Sequence, residues 1–248
     1  MKKILSLLVA VSLVAGAAGN VSAQLISEFE PNPAGGDPAD TTFELSGTPN
    51  APFGFSILSL ENDSGTMGTV DRATAVSGSF DANGLAVVTV PDLENPSFTV
   101  VLSQNLIAIG TDLDTDDNGV IDNESLFGTV FDSVGVSDAA GDDSILYSTG
   151  LGGSSILFNG EFEPLGVFRD ASTGQFFQYV TADFGDPTER IAVFAANGGP
   201  ELNPNSFING SPLATTFGAI NPTFAVPEPS SIALLGLFGI AGIVRRRK

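Results

Sequence analysis

The 248-residue sequence contains no cysteine, no histidine and no tryptophan. Without cysteine the fold has no disulfide and no thiolate zinc site. Without histidine the commonest general base and the commonest metal ligand are missing. Hydrolases that pair serine or cysteine with histidine are therefore excluded, and any catalysis would have to depend on carboxylates.

Basic residues are also scarce, with 9 against 29 acidic residues. Six of the nine lie at the two ends, at residues 2–3 and 245–248, which leaves only Arg72, Arg169 and Arg190 for the body of the protein. All 29 acidic residues lie between these ends, so the body carries 3 − 29 = −26 charges. A surface this acidic repels phosphate backbones and attracts divalent cations, so we expect no nucleic-acid partner.

The first 23 residues, MKKILSLLVAVSLVAGAAGNVSA, have the three parts of a secretory signal peptide. A lysine pair is followed by an apolar run at residues 4–14 and by small residues that end at Ala23. We expect cleavage between Ala23 and Gln24. A retained membrane helix is the alternative, but the apolar run is short for a membrane span.

The last 23 residues read VPEPSSIALLGLFGIAGIVRRRK. Residues 232–244 are all apolar or glycine, and as a helix they would span about 20 Å, less than the roughly 30 Å hydrocarbon core. The basic end holds the C-terminus at the cytoplasmic face by the positive-inside rule, so we expect a short transmembrane helix over residues 231–244 with the body outside. The membrane-stop cluster consists of Arg245, Arg246, Arg247 and Lys248.

Two familiar tail signals do not fit this end. A glycolipid-anchor signal would not finish in four cations, and a sortase signal needs an L-P-x-T-G motif that the chain lacks. The order of Val226-Pro227-Glu228-Pro229, a short apolar helix and a basic end resembles the PEP-CTERM sorting signal of Gram-negative bacteria. The resemblance implies processing by an exosortase, a transient hold in the inner membrane, and a cell surface or exopolysaccharide biofilm matrix as the destination.

Between the two ends no stretch keeps helical periodicity for three turns, and β-rich runs predict strands. The predicted strands are residues 53–60, 85–90, 98–102, 127–131 and 175–180. Asn83-Gly84 lies between two apolar runs and predicts a tight hairpin. We therefore predict an all-β fold, an antiparallel immunoglobulin-like β-sandwich, over residues 24–196.

The first predicted strand carries a second resemblance. Residues 25–47, LISEFEPNPAGGDPADTTFELSG, resemble the opening of lamin-tail-like domains, which are immunoglobulin-like sandwiches of exported bacterial proteins. An I-S-E strand leads through P-N-P and an acidic turn to an F-x-E-L strand, although Ser46-Gly47 replaces the asparagine that often follows. The resemblance implies a binding or structural module.

Phenylalanine supplies most of the aromatic residues, with 19 in the chain. Those within or beside predicted strands are expected in the core. They are Phe43, Phe53, Phe55, Phe80 and Phe98. Phe176 and Phe177 are adjacent and would face opposite sides of a strand, so we expect one of them to be exposed.

Residues 110–125, GTDLDTDDNGVIDNES, place oxygen-bearing residues at alternate positions, as in a calcium loop. The candidate ligands are Asp114, Asp116, Asn118, the carbonyl of Val120, and Asp122. Ser125 stands where a bidentate glutamate belongs, and no amphipathic helices flank the loop. We expect a stand-alone, weak calcium loop, with a merely solvated acidic loop as the alternative.

Carboxylate pairs two residues apart share one face of a strand, as in Glu28 with Glu30 and Glu161 with Glu163. Such spacing is common by chance in so acidic a chain. A secreted carboxylate-dependent hydrolase is therefore the weakest of three functional hypotheses.

The stretch at residues 197–225 carries one charge and is rich in glycine, proline and asparagine. It predicts a final strand near residues 216–220 within a linker. Taken together, the sequence predicts an exported structural or adhesive component of the cell surface or matrix. A calcium-dependent binding module for polysaccharide or protein is the main alternative.

Overall fold

The computed structural model describes residues 24–33, 38–62, 65–93, 97–159, 163–182 and 190–225. The predicted signal peptide, the predicted tail helix and Glu161 lie outside these described residues. Within the described ranges no helix is long and apolar enough to cross a membrane.

The described residues form 13 strands, joined by turns and three short 3-10 helices at Glu124–Phe127, Asp142–Ser144 and Pro204–Ser206. In chain order the strands are β1 (Leu25–Phe29), β2 (Asp40–Ser46), β3 (Pro52–Glu61), β4 (Val70–Ser79), β5 (Leu85–Pro91), β6 (Phe98–Ser103), β7 (Val130–Val136), β8 (Ser154–Ile156), β9 (Gly166–Arg169), β10 (Phe176–Ala182), β11 (Arg190–Ala195), β12 (Phe207–Ile208) and β13 (Thr223–Phe224).

Two large sheets face each other across one apolar core. The larger has six strands in the order β11-β10-β9-β1-β2-β5, and the smaller has five in the order β4-β3-β6-β7-β8. Neighbouring strands are antiparallel except β7 and β8, which are parallel. Ile26 and Phe43 of the larger sheet pack in one buried cluster with Ile57, Phe98 and Val134 of the smaller. The predicted all-β sandwich is therefore confirmed.

Three of the five predicted strands fall within observed strands, the run at residues 175–180 starts one residue before β10, and the run at residues 127–131 is wrong in its first half. Phe127 closes a 3-10 helix, and β7 begins only at Val130. Gly128 lies between them at φ 68°, a left-handed conformation that turns the chain before the strand can start.

The Asn83-Gly84 turn forms, but the predicted hairpin does not. The carboxylate of Asp81 accepts the N–H groups of Asn83 and Leu85 at 2.8 Å each, and Gly84 has φ 80°. β4 pairs with β3, whereas β5 pairs with β2 in the other sheet. Phe80 is buried in the core between the sheets, so the chain crosses from one sheet to the other at this turn.

The outer face of the larger sheet is covered by residues 202–225, which we call the C-terminal strap. Phe177 is 3% exposed because it packs with Phe168 inside the sheet and with Phe207 and Phe224 of the strap. Phe176 is buried in the core between the sheets, so the expectation that one of this pair is exposed is wrong.

The strap also corrects the prediction of a last strand at residues 216–220 within a linker. Thr216 accepts a backbone hydrogen bond from Ala219 at 2.9 Å in a turn, and the last strand is instead β13, which pairs with β12. The segment packs on the sandwich because its apolar residues join the cluster around Phe177.

The outer face of the smaller sheet is covered by the acidic loop, residues 104–129. Leu113, Ile121 and Phe127 of the loop pack with Leu58 and Val101 of the sheet in a second buried cluster. The central strands of both sheets are therefore covered on both faces, and the acidic loop is anchored by its own apolar residues.

Truncation of Phe177 should reveal how much the strap contributes to stability. Because Phe177→Ala removes a buried ring that contacts the strap, we expect the free energy of unfolding to fall by about 3–5 kcal/mol in urea titrations. Val87→Ala, at a strand residue that is 48% exposed, should change it by less than about 0.5 kcal/mol. Equal effects of the two substitutions would contradict the packed strap.

Candidate functional site

Two glutamates lie side by side beneath the strap. Glu28 of β1 is the cross-strand partner of Glu44 of β2, and both side chains are fully buried. A bulge between Ile26 and Glu28 shifts the strand register. As a result Ile26 and Phe29 both point into the core while Glu28 faces outward toward the strap.

The strap supplies hydrogen-bond donors to both carboxylates. The N–H of Thr216 lies 2.9 and 3.1 Å from the two oxygens of Glu28, and the N–H of Gly218 donates to Oε2 of Glu44 at 2.7 Å. The other oxygen of Glu44, Oε1, is buried with no hydrogen-bond partner. The glutamates thus hold the strap through its backbone, without regular pairing.

Asn221 links the strap to β1 and β9. Its side-chain amide donates to the carbonyl and the hydroxyl oxygen of Ser27 at 2.9 Å each, and to the carbonyl of Arg169 at 3.1 Å. Its Oδ1 accepts from the hydroxyl of Thr216 at 2.8 Å. A single buried amide therefore ties the turn of the strap to two strands.

A third carboxylate holds the end of the strap. Asp170, in the turn after β9, accepts the N–H of Phe224 at 2.7 Å and those of Ser172 and Thr173 at 2.7 and 2.9 Å. Burial alone would raise the pKa of Asp170, but these donors outweigh it and lower the pKa. The N–H of Ala225 then donates to the carbonyl of Ser206 at 2.8 Å, so the chain is held up to residue 225.

The ionisation of Glu28 is coupled to these contacts. Burial raises its pKa to about 7; the donors of Thr216 oppose this shift, and the charges of Glu44 and Glu30 add to it. Burial also raises the pKa of Glu44, and the phenol of nearby Tyr179 has a raised pKa for the same reason, so it stays neutral. Of the titratable neighbours named here, Glu44 and Glu30 are acids and Tyr179 is neutral, so none of them supplies a positive charge to Glu28.

The hydroxyl of Thr216 faces two acceptor oxygens, whereas its backbone N–H favours the ionised form of Glu28. The hydroxyl of Thr216 lies within 3.0 Å of Glu28 Oε2 and 2.8 Å of Asn221 Oδ1, but it has only one proton. If Glu28 is protonated, it donates to this hydroxyl, which donates in turn to Asn221. If Glu28 is ionised, two acceptors compete for one proton.

This arrangement predicts a pH dependence of stability. The folded-state pKa of Glu28 lies above its ordinary value of 4.5, so its stabilising contribution is complete below pH 4.5 and is lost as the pH rises through about 7. The loss is up to about 3 kcal/mol.

Denaturant titrations at several pH values should show this slope in the native chain, while Glu28→Gln should have a shallower slope, to which the buried acids Glu44 and Asp132 still contribute. The amide of glutamine imitates the protonated acid. A slope that is identical in the two proteins would show that Glu28 titrates normally.

The predicted calcium ligands span residues 114–122, a shorter segment within the acidic loop. Asp114 is fully buried and accepts the N–H groups of Asn118 and Gly119 at 3.0 and 2.7 Å and the hydroxyl of Tyr147 at 2.8 Å. Burial, and next this bond to Asp114, raise the pKa of Tyr147, so the phenol remains a donor.

The two ends of the 114–122 segment contact each other. Asp122 accepts the N–H and the hydroxyl of Thr115 at 2.9 and 2.6 Å, and its own N–H donates to the carbonyl of Leu113. Asp116 is exposed at the tip, and the N–H of Val120 donates to the Asn118 side chain. In the part of the chain that the structure describes, no three His, Cys, Asp or Glu side chains are grouped to hold a metal ion.

The carboxylate pairs considered for hydrolysis are placed differently from the expectation. Glu28 pairs with Glu44 instead of Glu30, and it is closed off from solvent. Glu163 accepts the side-chain amide of Asn32 at 2.9 Å. The cross-strand Glu28–Glu44 pair could have been found from the sequence only by knowing the register of β1 against β2.

Each arginine of the body lies beside a carboxylate. Arg169 reaches Asp132 at 2.6 Å and covers the ring of Phe176 at 4.1 Å. At the surface, Arg190 and Glu201 are 2.6 Å apart, and Arg72 contacts the neighbouring Asp71 at 3.5 Å. These pairs leave the surface with one dominant sign of charge.

The Arg169–Asp132 pair crosses the sandwich from β9 to β7. Asp132 also accepts the N–H of Ile26 at 2.8 Å, so one buried carboxylate connects three strands of the two sheets. Burial raises the pKa of Asp132 even though the arginine opposes this shift.

The described fold runs up to residue 225, and the apolar and basic tail follows it in the sequence. The family model for the PEP-CTERM protein-sorting motif matches residues 225–248. The chain therefore carries the PEP-CTERM signal, which makes it an exported protein that is sorted by an exosortase and held transiently in the membrane. No curated protein matches the chain.

Proposed function

We propose that the mature protein is a structural or adhesive component of the cell surface or extracellular matrix. The observation that carries the proposal is the use of its buried carboxylates. Glu28, Glu44, Asp114, Asp132 and Asp170 are all buried, and all accept hydrogen bonds from the protein itself. These acids hold strands, loop and strap together, and this use favours a structural role over carboxylate chemistry.

The charge of the surface fits the same role. With 29 acidic residues against three arginines that each lie beside an acid, the body is strongly negative. Such a surface stays soluble after release, and it meets anionic matrix polymers through divalent cations and hydrogen bonds. Adhesion is therefore expected to depend on the ionic conditions outside the cell.

Fractionation of a bacterium that has an exosortase tests the proposal. The full chain should be found as a shortened form in the surface or matrix fraction, since the sorting tail is removed on the way. A chain without residues 226–248 should be exported but absent from that fraction. An unshortened chain that stays in the inner membrane, or equal matrix levels of both chains, would contradict the proposed destination.

Calcium-dependent binding of a polysaccharide or protein is a second candidate function. The favouring observation is that the acidic loop closes on itself, because Asp122 bonds to Thr115 beside Asp114. Gly119, at φ 82°, permits the bend between these two ends. Closure brings the first and ninth positions of the predicted calcium loop to the same end.

Calorimetry on the folded domain should then detect calcium with a dissociation constant on the order of 10⁻⁴ to 10⁻³ M, accompanied by a higher melting temperature. Asp116→Asn should abolish both effects, whereas Asp81→Asn, in the turn between the sheets, should leave them unchanged. No heat and no thermal stabilisation at millimolar calcium would remove this candidate. Saccharide binding that resists a chelator would also argue against it.

A further inference from the structure

The last residues before the sorting motif are held in β structure. Thr223 and Phe224 form β13, where they pair with Ile208 and Phe207 of β12. The N–H of Phe224 donates to Asp170 at 2.7 Å, and the N–H of Ala225 donates to a backbone carbonyl at 2.8 Å. The backbone that immediately precedes the motif is therefore already used by the domain.

An enzyme that cuts within a peptide motif holds the residues on each side of the bond in an extended form, through their backbone hydrogen bonds. Pro227 and Pro229 have no N–H group to offer. On the N-terminal side of Pro227, the nearest backbone N–H groups are those of Val226, Ala225 and Phe224. The N–H groups of Ala225 and Phe224 already donate hydrogen bonds within the domain. Recognition of the motif therefore competes with the docking of β13.

Chain length points to the same competition. Five residues, 226–230, separate the docked strap from the helix predicted over residues 231–244, and five extended residues reach at most about 18 Å. Release of the strap back to residue 204 would add 22 residues to this tether. A docked strap therefore keeps a large, strongly acidic domain close to the place where a membrane enzyme must bind.

We propose that the C-terminal strap is a latch: docked by Glu28, Glu44 and Asp170, it withholds residues 223–225 from the exosortase and must open before the sorting signal is processed. The three carboxylates are positioning residues. They act on processing through the strap that they hold, and they do not contact the bond that is cut.

A reversible lock tests the latch directly. Asn221 of the strap contacts Ser27 of β1, with its amide nitrogen 2.9 Å from the Ser27 hydroxyl oxygen. Because the chain has no cysteine, Ser27→Cys with Asn221→Cys would introduce the only two thiols, which a disulfide or a short reducible crosslinker can join so that the strap is fixed to the sheet. Incubated with exosortase-containing membranes, the oxidised full chain should lose its tail about tenfold or more slowly than the same protein after reduction.

Variants that loosen the strap should act in the opposite direction. Asp170→Ala removes the acceptor for Phe224, and Glu28→Ala removes the acceptor for Thr216. Each should speed processing roughly five- to tenfold. Gln104→Ala is the control, because it removes the acceptor of two hydrogen bonds from Thr129 within the acidic loop, on the opposite side of the sandwich from the strap, and should leave the rate unchanged.

The outcomes separate the latch from the sorting assignment on which it rests. Equal processing of the oxidised and reduced cysteine variant would overturn the latch, even if the loosened variants fold poorly. Faster processing of Gln104→Ala, to the same extent as Asp170→Ala, would also overturn it, since general destabilisation would then explain both. If the native chain is never shortened by membranes that shorten another PEP-CTERM substrate, the sorting assignment fails together with the latch.

Discussion

The hydrogen bonds from the strap to the buried carboxylates of Glu28 and Glu44 are the contact on which the outer face of the larger sheet depends. A carboxylate that is buried without donors is strongly destabilising, so β1 and β2 can bury this pair only if something supplies N–H groups. The strap supplies them at Thr216 and Gly218. The strap in turn has little regular structure of its own beyond β12 and β13. Sheet and strap therefore stabilise each other, and Phe177 is buried as a consequence.

Local patterns were enough to predict the sandwich but not the partners of its strands. Alternation predicted β3, β5, β6 and β10, because each buries apolar side chains at strand spacing. The Asn83-Gly84 turn also formed, since its chemistry is local. The two flanking strands join different sheets, with Phe80 buried between the sheets, and no window of sequence around the turn contains that information.

The strap shows the same limit more strongly. Its glycine, proline and asparagine content is typical of a linker, and the contacts that order it join residues far apart in the chain. Thr216 and Glu28 are 188 residues apart, and Asn221 and Ser27 are 194 apart. The pairing of Glu28 with Glu44 depends further on a bulge in β1. The sorting signal, by contrast, is defined by the order of residues along the chain and needs no distant contacts, and its prediction is confirmed. The strap ends at residue 225, where the sorting motif begins. A change in how the strap is held is therefore expected to affect processing of the motif.

Hydrogen exchange of the folded domain tests this account most directly. If the buried carboxylates hold the strap, the amides of Thr216, Gly218 and Phe224 should exchange as slowly as those of β1 and β2 near neutral pH. All three should lose protection in Glu28→Ala, while β6 and β7 keep theirs. Exchange of the strap amides at the rate of a free peptide, in a domain whose strands are protected, would contradict the account.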